Sequence, residues 1–445
     1  MIEFAVIAVF ALSLLGCLLL DISLLVALVF GFFLFCGYGL YKGHTLAQLG
    51  RMAFSGIKTV KNILFLFILI GMITAFWRAS GTIAYIVYYA TTVFSPTTML
   101  LSTFLLCAAL SVLTGTAFGT AATLGVICAT IARSMGLDPV LIGGAVLSGS
   151  YFGDRLSPMS TSALLVAAIT DTDIFANIKR MIPTSIIPAL LSCLVYFLCG
   201  QNAHSADSAA SICALFEAHF TLTLWLLLPA LAIVVLSLLK VSVKITMSIS
   251  ILLAIVLSMM VQGLTFSDVL STALFGYQPA APLAEVMAGG GILSMTNVFC
   301  IIFISYTYAG IFKGTELLKN SKHHLTALAE KLTPYGSTLL ISVITAMIAC
   351  NQTLAIMLTC ELCDEMVENK ETRAVYLENT AVVVAPLIPW SIAGAVPLTT
   401  IDAPTLSIAA ACYLYLLPLW NYFLVLFSRK KHTAKKESPL KGGQR

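Results

Sequence analysis

The chain has 445 residues, of which 59% are hydrophobic and only 10% are charged. Average soluble domains carry roughly 25% charged residues, and surface-to-volume scaling would leave much of so apolar a chain facing water. The composition therefore excludes a soluble enzyme, a nucleic-acid-binding protein and a disordered chain. Because one membrane span takes about 20 residues, we expect an all-α polytopic membrane protein with about 10 to 12 spans.

Apolar runs separated by charged residues, prolines or glycines predict the helices in chain order. The chain opens with a helical hairpin, and full-length spans then alternate with shorter, glycine-rich segments. The predicted segments are 2–20, 22–41, 57–77, 97–113, 119–131, 140–152, 182–199, 220–239, 245–261, 292–312, 339–350, 354–360, 374–384, 389–398 and 406–427.

The distribution of basic residues predicts the orientation. Residues 429–445 hold seven Lys and Arg against one Glu, directly after an apolar run. A second basic loop is predicted to contain Lys42, Arg51, Lys58 and Lys61, whereas the predicted 201–219 loop has no Lys or Arg. By the positive-inside rule, the basic regions face the cytoplasm. We therefore expect a multi-pass plasma-membrane protein with both termini in the cytoplasm.

Two stretches of the chain resemble each other at an offset of about 235 residues. Gly56-Ile57 with Asn62 aligns with Gly291-Ile292 with Asn297, and Pro158-Met159-Ser160 aligns with Pro389-Trp390-Ser391. The flanking basic loops give the two copies opposite orientations, which is typical of inverted-repeat transporters. Chance similarity between apolar segments is the alternative. The predicted organisation is an N-terminal hairpin (1–56), a first transport repeat (57–200), linking spans (201–290), a second, inverted transport repeat (291–428) and a basic tail (429–445).

Two corresponding segments, 147–162 and 377–391, are predicted to be broken or re-entrant helices. Each contains proline, hydroxyl or amide side chains and a carboxylate in an apolar context. A helix broken inside the bilayer exposes free N–H and C=O groups that can hold an ion or polar solute. The predicted substrate- or ion-binding residues are Thr116, Asp154, Ser157, Ser160, Thr161, Ser162, Asn351, Glu378, Asn379, Thr380 and Ser391.

Asp154 is the most informative of these residues, because an ionisable group inside a membrane segment is costly and is usually functional. The alternative is a loop residue that faces water or pairs with Arg155. Neighbours in sequence do not face each other on a helix, so Arg155 is a poor partner. Arg155 itself is predicted to contact an anionic substrate or to seal a gate.

The remaining motifs argue against enzymatic chemistry. The sequence has no HExxH, Walker or GxSxG motif, and its six histidines lie in loops or near span ends. We therefore predict no enzyme activity, no resident metal and no cofactor, with Na⁺ and H⁺ only as transported ions. The expected partners are the lipid bilayer and a small ion or solute, but no nucleic acid. Whether the protein forms a homo-oligomer is left open.

The run GSYFGDRLSPMS at 149–160 closely resembles the sodium:proton antiporters of the NhaC type. Thr114-Gly115-Thr116 and the PLIPW run at 386–390 extend the resemblance. It implies an inverted-repeat fold with re-entrant hairpins and exchange of sodium for protons. Some relatives exchange malate for lactate together with those ions.

The sequence departs from this family at two positions. The family usually has an acidic residue after SP-x-S, where this chain has Thr161, and it usually has Leu-Glu-Asp where this chain has Leu377-Glu378-Asn379. Fewer negative charges weaken cation binding in a low-dielectric site. The leading prediction is a secondary active cation (sodium)/proton antiporter. The alternative is proton- or sodium-coupled exchange of a small organic solute, an amino acid or a carboxylate such as malate or lactate.

Overall fold

A computed structural model of the chain describes residues 2–20, 22–93, 95–201, 207–239, 241–315, 332–364, 366–367 and 369–436. Within these ranges the regular secondary structure is helical, apart from one isolated antiparallel bridge between Tyr277 and Gly289. The predicted all-α class is thereby confirmed. Most of the basic tail, residues 437–445, lies outside the described residues.

The helices of the first half follow the predicted order. They are α1 (Ile2–Leu19), α2 (Leu24–Tyr41), α3 (Leu46–Ala79), α4 (Thr82–Val93), α5 (Pro96–Thr114), α6 (Ala117–Ser134, with a π-helical turn at Ala121–Gly125), α7 (Pro139–Leu156), α8 (Thr161–Thr170), α9 (Ile174–Gly200) and α10 (Asp207–His219).

The second half continues the numbering and contains several short 3₁₀ turns. Its helices are α11 (Leu228–Leu238), α12 (Val243–Met260), α13 (Phe266–Phe275), α14 (Thr296–Thr315), α15 (Pro334–Ala349), α16 (Gln352–Cys363), α17 (Lys370–Asn379), α18 (Ile392–Thr400) and α19 (Cys412–Lys436). A short helical turn, Ala381–Val384, and a 3₁₀ turn, Ala385–Leu387, connect α17 to the break before α18.

Two of the predicted loops were wrong. A capping box formed by Thr45 and Gln48 starts α3 at Leu46, so Arg51 lies in the same helix as Lys58 and Lys61, which also fall in the predicted segment 57–77. The predicted 201–219 loop contains α10 instead. A polar residue ends an apolar run in the sequence but does not end a helix. The helix begins where a capping residue satisfies its first N–H groups, and polar residues can lie within it.

Within the described part of the chain, three helices, α5, α6 and α9, are long and apolar enough to cross a membrane by length and composition. Three bent pairs raise the number to six if each pair is one span. One of these pairs, Lys370–Leu387 with Ile392–Thr400, bends by 56°. This bend lies at the second predicted break. The total of 10 to 12 spans stays a prediction.

The first half and the second half have matching chain breaks between consecutive helices. Gly115 after α5 and Cys350 after α15 both adopt left-handed backbone conformations, with φ of 66° and 55°. The next residues, Thr116 and Asn351, are both extended and cap the following helix through their side chains. In both pairs the members are 235 positions apart. The local geometry therefore supports the repeat inferred from sequence.

A second set of matching positions surrounds the next break. Ser160 caps α8 and Ser391 caps α18, 231 positions apart. Asp171 and Asp402 follow these two helices at the same offset, and both have a φ of 52°. Left-handed aspartate is uncommon, so its recurrence at matching positions argues against chance similarity.

The two halves pack against each other around these breaks. Helix α8 of the first half packs on α16 and α17 of the second, through a buried cluster that includes Val166, Ile356 and Leu377. Helix α18 of the second half packs on α6 and α7 of the first. The short helices α8 and α18 thus each contact the opposite half.

Candidate functional site

Asp154 is buried near the C-terminal end of α7, with only 4% of its surface exposed. One carboxylate oxygen accepts a hydrogen bond from the Ser160 hydroxyl at 3.0 Å, and the other accepts from the Ser162 hydroxyl at 2.9 Å. The two hydroxyl oxygens are themselves 2.8 Å apart. Three oxygen-bearing side chains, all among the predicted site residues, therefore converge across the break between α7 and α8.

The break before α6 lies directly beside this group. A β-carbon on Gly115 would come within 2.5 Å of the Met159 carbonyl carbon and 2.7 Å of the Ser160 nitrogen. The backbone amide of Ala117, the first residue of α6, is also directed at the Asp154 carboxylate. Only glycine at position 115 allows the two broken segments to approach this closely, so Asp154 lies where they meet.

The equivalent contact recurs in the second half. The Ile392 amide, at the start of α18, donates to the Cys350 carbonyl at 2.9 Å. The Gln352 side chain donates to the Val382 carbonyl at 2.9 Å, which ties α16 to the helical turn that follows α17. No carboxylate occupies the position that corresponds to Asp154 in this half, because Ala385 stands 231 positions after it. The two halves are thus alike in backbone and different in charge.

Arg155 is fully buried, and all five of its N–H donors are used. Nε donates to the Glu378 carbonyl at 3.0 Å, and one terminal nitrogen donates to the Asn379 side-chain oxygen. The remaining acceptors are the hydroxyls of Thr184, Ser185 and Tyr413. Every acceptor is an uncharged oxygen. Among the described residues, Arg155 therefore joins the two halves without an ion pair to a carboxylate.

Glu378 is the second buried carboxylate, with 1% of its surface exposed. Its Oε2 atom has no hydrogen-bond partner among the described residues. The carboxylate lies within electrostatic range of both Arg155 and Asp154. A buried oxygen without a partner is expensive, and it calls for a bound ion, a water molecule or a proton.

The other predicted residues have different positions. The side chains of Thr116, Asn351 and Ser391 cap helices, and Ser157 Oγ accepts from the Met159 amide. These four side-chain oxygens therefore accept hydrogen bonds from backbone N–H groups at the helix breaks. Thr380 Oγ1 donates to the Tyr376 carbonyl, so it is also used locally. Thr161 is exposed at the start of α8, whereas its neighbours Ser160 and Ser162 are buried.

Sequence reasoning missed the side chains that hold Arg155. Thr184 and Ser185 follow Pro183 inside an apolar helix, and Tyr413 begins the last one. Tyr151 was also missed, and its hydroxyl donates to the Ala393 carbonyl at 2.7 Å between α7 and α18. The only available signal was a pair of hydroxyl residues beside a proline in a predicted span.

The arrangement suits reversible binding of one small cation. Serine hydroxyls can donate to an ionised carboxylate or turn their oxygens toward a cation. Carboxylate and hydroxyl oxygens are the groups that hard cations prefer in proteins. Burial makes the charge of Asp154 costly unless a cation or proton neutralises it.

Comparison with known proteins places this geometry in context. A family model described as the Na+/H+ antiporter family matches residues 1–167 and 149–428. A Malate-2H(+)/Na(+)-lactate antiporter of Bacillus subtilis is 26% identical over 387 residues, which cover 84% of this chain and 82% of that protein. The Na(+)/H(+) antiporter NhaC of Alkalihalophilus pseudofirmus is 26% identical over 438 residues, with 94% and 92% covered. The Arginine/ornithine antiporter ArcD of Halobacterium salinarum is 26% identical over 382 residues, with 82% and 78% covered.

Proposed function

The chain belongs to the Na+/H+ antiporter family, and from that premise we propose that it exchanges sodium for protons at the group formed by Asp154, Ser160 and Ser162. The observation that carries the proposal is the burial of Asp154 where two broken helices meet, with two hydroxyls on its carboxylate oxygens. A transporter that uses one site for two ions needs a group that takes either of them. A buried carboxylate does so, because a proton and a cation compete for the same oxygens.

The exchange follows from this competition. With sodium bound, the Asp154 carboxylate and the two serine oxygens face the cation. With a proton bound, Asp154 is neutral and the serines return to hydrogen bonding with it and with each other. Only a site neutralised in one of these two ways crosses the low-dielectric interior at low cost. The empty site is charged, so it crosses the interior only at high cost. The sodium flux and the proton flux are therefore coupled.

A second function is exchange of a small organic solute together with these ions. The observation that favours it is Arg155, a buried guanidinium that contacts uncharged oxygens alone. A substrate carboxylate could replace Asn379 on this guanidinium, since Arg binds carboxylates in bidentate fashion. The names of two relatives, the malate/lactate and arginine/ornithine antiporters, agree with such substrates.

Transport by the purified protein in proteoliposomes tests both functions. An inward sodium gradient should drive protons outward, as reported by an internal pH dye, with no organic solute present. Parallel vesicles receive labelled malate, lactate, arginine or ornithine. Sodium-driven proton flux without solute supports the first function. Solute exchange without sodium-driven proton flux in solute-free vesicles would overturn it in favour of the second.

A further inference from the structure

The buried charges of the site can be counted. Of the side chains that the structure describes, four charged ones are buried: Arg78, Asp154, Arg155 and Glu378. Arg78 lies apart from the others and forms an ion pair with Asp402 at 2.6 Å. The site itself therefore holds two carboxylates and one guanidinium, a net charge of −1 when neither a proton nor a metal cation is bound.

Among the side chains that the structure describes, the surrounding helices add no further buried charge to this count. The other ionisable groups that contact Arg155 or Asn379 are the hydroxyls of Tyr413 and Tyr335. Tyrosine hydroxyls are uncharged near neutral pH. Helix α8, which carries Ser162, contributes hydroxyl and aliphatic side chains alone.

Asn379 determines the net charge of the site. It contacts the Arg155 guanidinium directly, and an aspartate at this position would carry a negative charge. Its side-chain oxygen accepts from Arg155, and the Thr184 hydroxyl donates to the same oxygen at 3.3 Å. With a neutral amide in this position, the charge of Arg155 remains available to offset Glu378, which lies within its range. One negative charge is left for the transported ion.

We propose that Asn379 limits the site to one positive charge per cycle, so that one sodium ion exchanges for one proton and no net charge crosses the membrane. This inference rests on the proposed sodium/proton exchange and adds its stoichiometry. It holds whichever carboxylate receives the proton, since only the sum of the charges enters. A loaded site with zero net charge is also the cheapest to carry through the bilayer interior.

The membrane potential tests the stoichiometry directly. The membrane potential of proteoliposomes that contain the full-length protein is clamped with potassium and valinomycin. The quantity measured is the balance ratio, the ratio of the sodium concentrations on the two sides at which no net proton flux occurs. For one-to-one exchange this ratio equals the proton ratio at every potential. If one net charge moved per cycle, the ratio would shift about fifty-fold per 100 mV, the equivalent of about 2.3 kcal/mol per charge.

The outcomes separate the two proposals. No sodium-driven proton movement at any potential means that sodium/proton exchange itself fails. Sodium-driven movement with a balance ratio that stays fixed between 0 and about −100 mV supports the inference. Movement with a ratio that shifts with potential overturns the stoichiometry while leaving sodium/proton exchange intact.

Asn379→Asp tests the role of the residue. The new carboxylate would pair with Arg155 and leave Glu378 without its offset. Asp154 and Glu378 could then each take a proton, whereas the oxygens of Asp154, Ser160 and Ser162 still form one sodium site, so two protons would exchange for one sodium ion and the sodium-loaded site would keep one negative charge. We expect the balance ratio of this variant to become dependent on potential, by about fifty-fold per 100 mV. Asn369→Asp is the matched control, because Asn369 is the exposed cap of the same helix and aspartate caps equally well. Potential-independent balance in Asn379→Asp would overturn the assignment.

Glu378→Gln gives a second test that does not depend on the first variant folding. With glutamine at this position, Asp154 and Arg155 sum to zero, and the site no longer needs a cation. Sodium-driven proton flux should fall to the level of empty vesicles. Flux equal to that of the wild type would show that Glu378 does not contribute to the net charge of the site, and would overturn the inference.

Discussion

Asp154→Asn removes one charge from the centre of the site and changes almost nothing else. Asparagine has the same shape, keeps one acceptor oxygen, and its amide group can donate to a serine hydroxyl that turns to accept. Insertion and folding should therefore persist. Loss of a carboxylate about 4 Å from a bound cation costs about 4 kcal/mol at an effective dielectric constant of about 20.

That free energy corresponds to a roughly thousand-fold weaker sodium affinity. The estimate depends on burial, since the same charge in water would contribute only about 1 kcal/mol. The assay is sodium binding to the purified protein in detergent, followed by titration calorimetry, together with the melting temperature. Asp171→Asn is the matched control, because Asp171 is exposed and asparagine also accepts the left-handed conformation. A loss of less than about five-fold would refute the reasoning, because it would mean that Asp154 faces water.

Three further perturbations address the structure around the site. Gly115→Ala should destabilise the protein by at least about 1–2 kcal/mol, because position 115 is left-handed and tightly packed; thermal unfolding checks this, and Gly50→Ala, with open space around it, should be nearly neutral. Tyr151→Phe removes a buried hydrogen bond between α7 and α18 and should cost about 1–3 kcal/mol in the same assay; an unchanged melting temperature would show that the two helices are not held together there. A hydrogen bond from Lys370 lowers the pKa of Asp171, so the stability from this pair should be complete above about pH 3.9 and be lost as the pH falls through the lowered value; Asp171→Asn should remove that part of the acid dependence, and identical pH profiles for the two proteins would contradict it.

The sequence predicted the broken helices because their causes are local. Gly115 is needed for a left-handed turn, and Ser160 and Ser391 have the hydroxyls that cap a helix. Such residues stand out in an apolar chain, where each costs free energy unless it has a structural or functional use. The grouping of Asp154 with Ser160 and Ser162 could be predicted for the same reason, since all three lie within nine residues.

The surroundings of Arg155 could not be predicted in this way. Its acceptors come from α9, α17 and α19, and the most distant of them, Tyr413, is 258 positions from Arg155 in sequence. Hydroxyl residues such as Thr184 usually bond to the carbonyl of the preceding turn within a span, as Thr184 also does here. No feature of the neighbouring sequence distinguishes a threonine that also accepts a hydrogen bond from a distant arginine. That information exists only in the packing of one half against the other.

Sodium-induced proton release from the purified protein tests the central claim most directly. Sodium is added to the protein in weakly buffered detergent solution at a pH where the site is protonated, and the released protons are counted with a pH dye. Competition at Asp154 predicts release of about one proton per bound sodium ion in the wild type and none in Asp154→Asn. Sodium binding without proton release, or equal release from the variant, would contradict a shared site at Asp154.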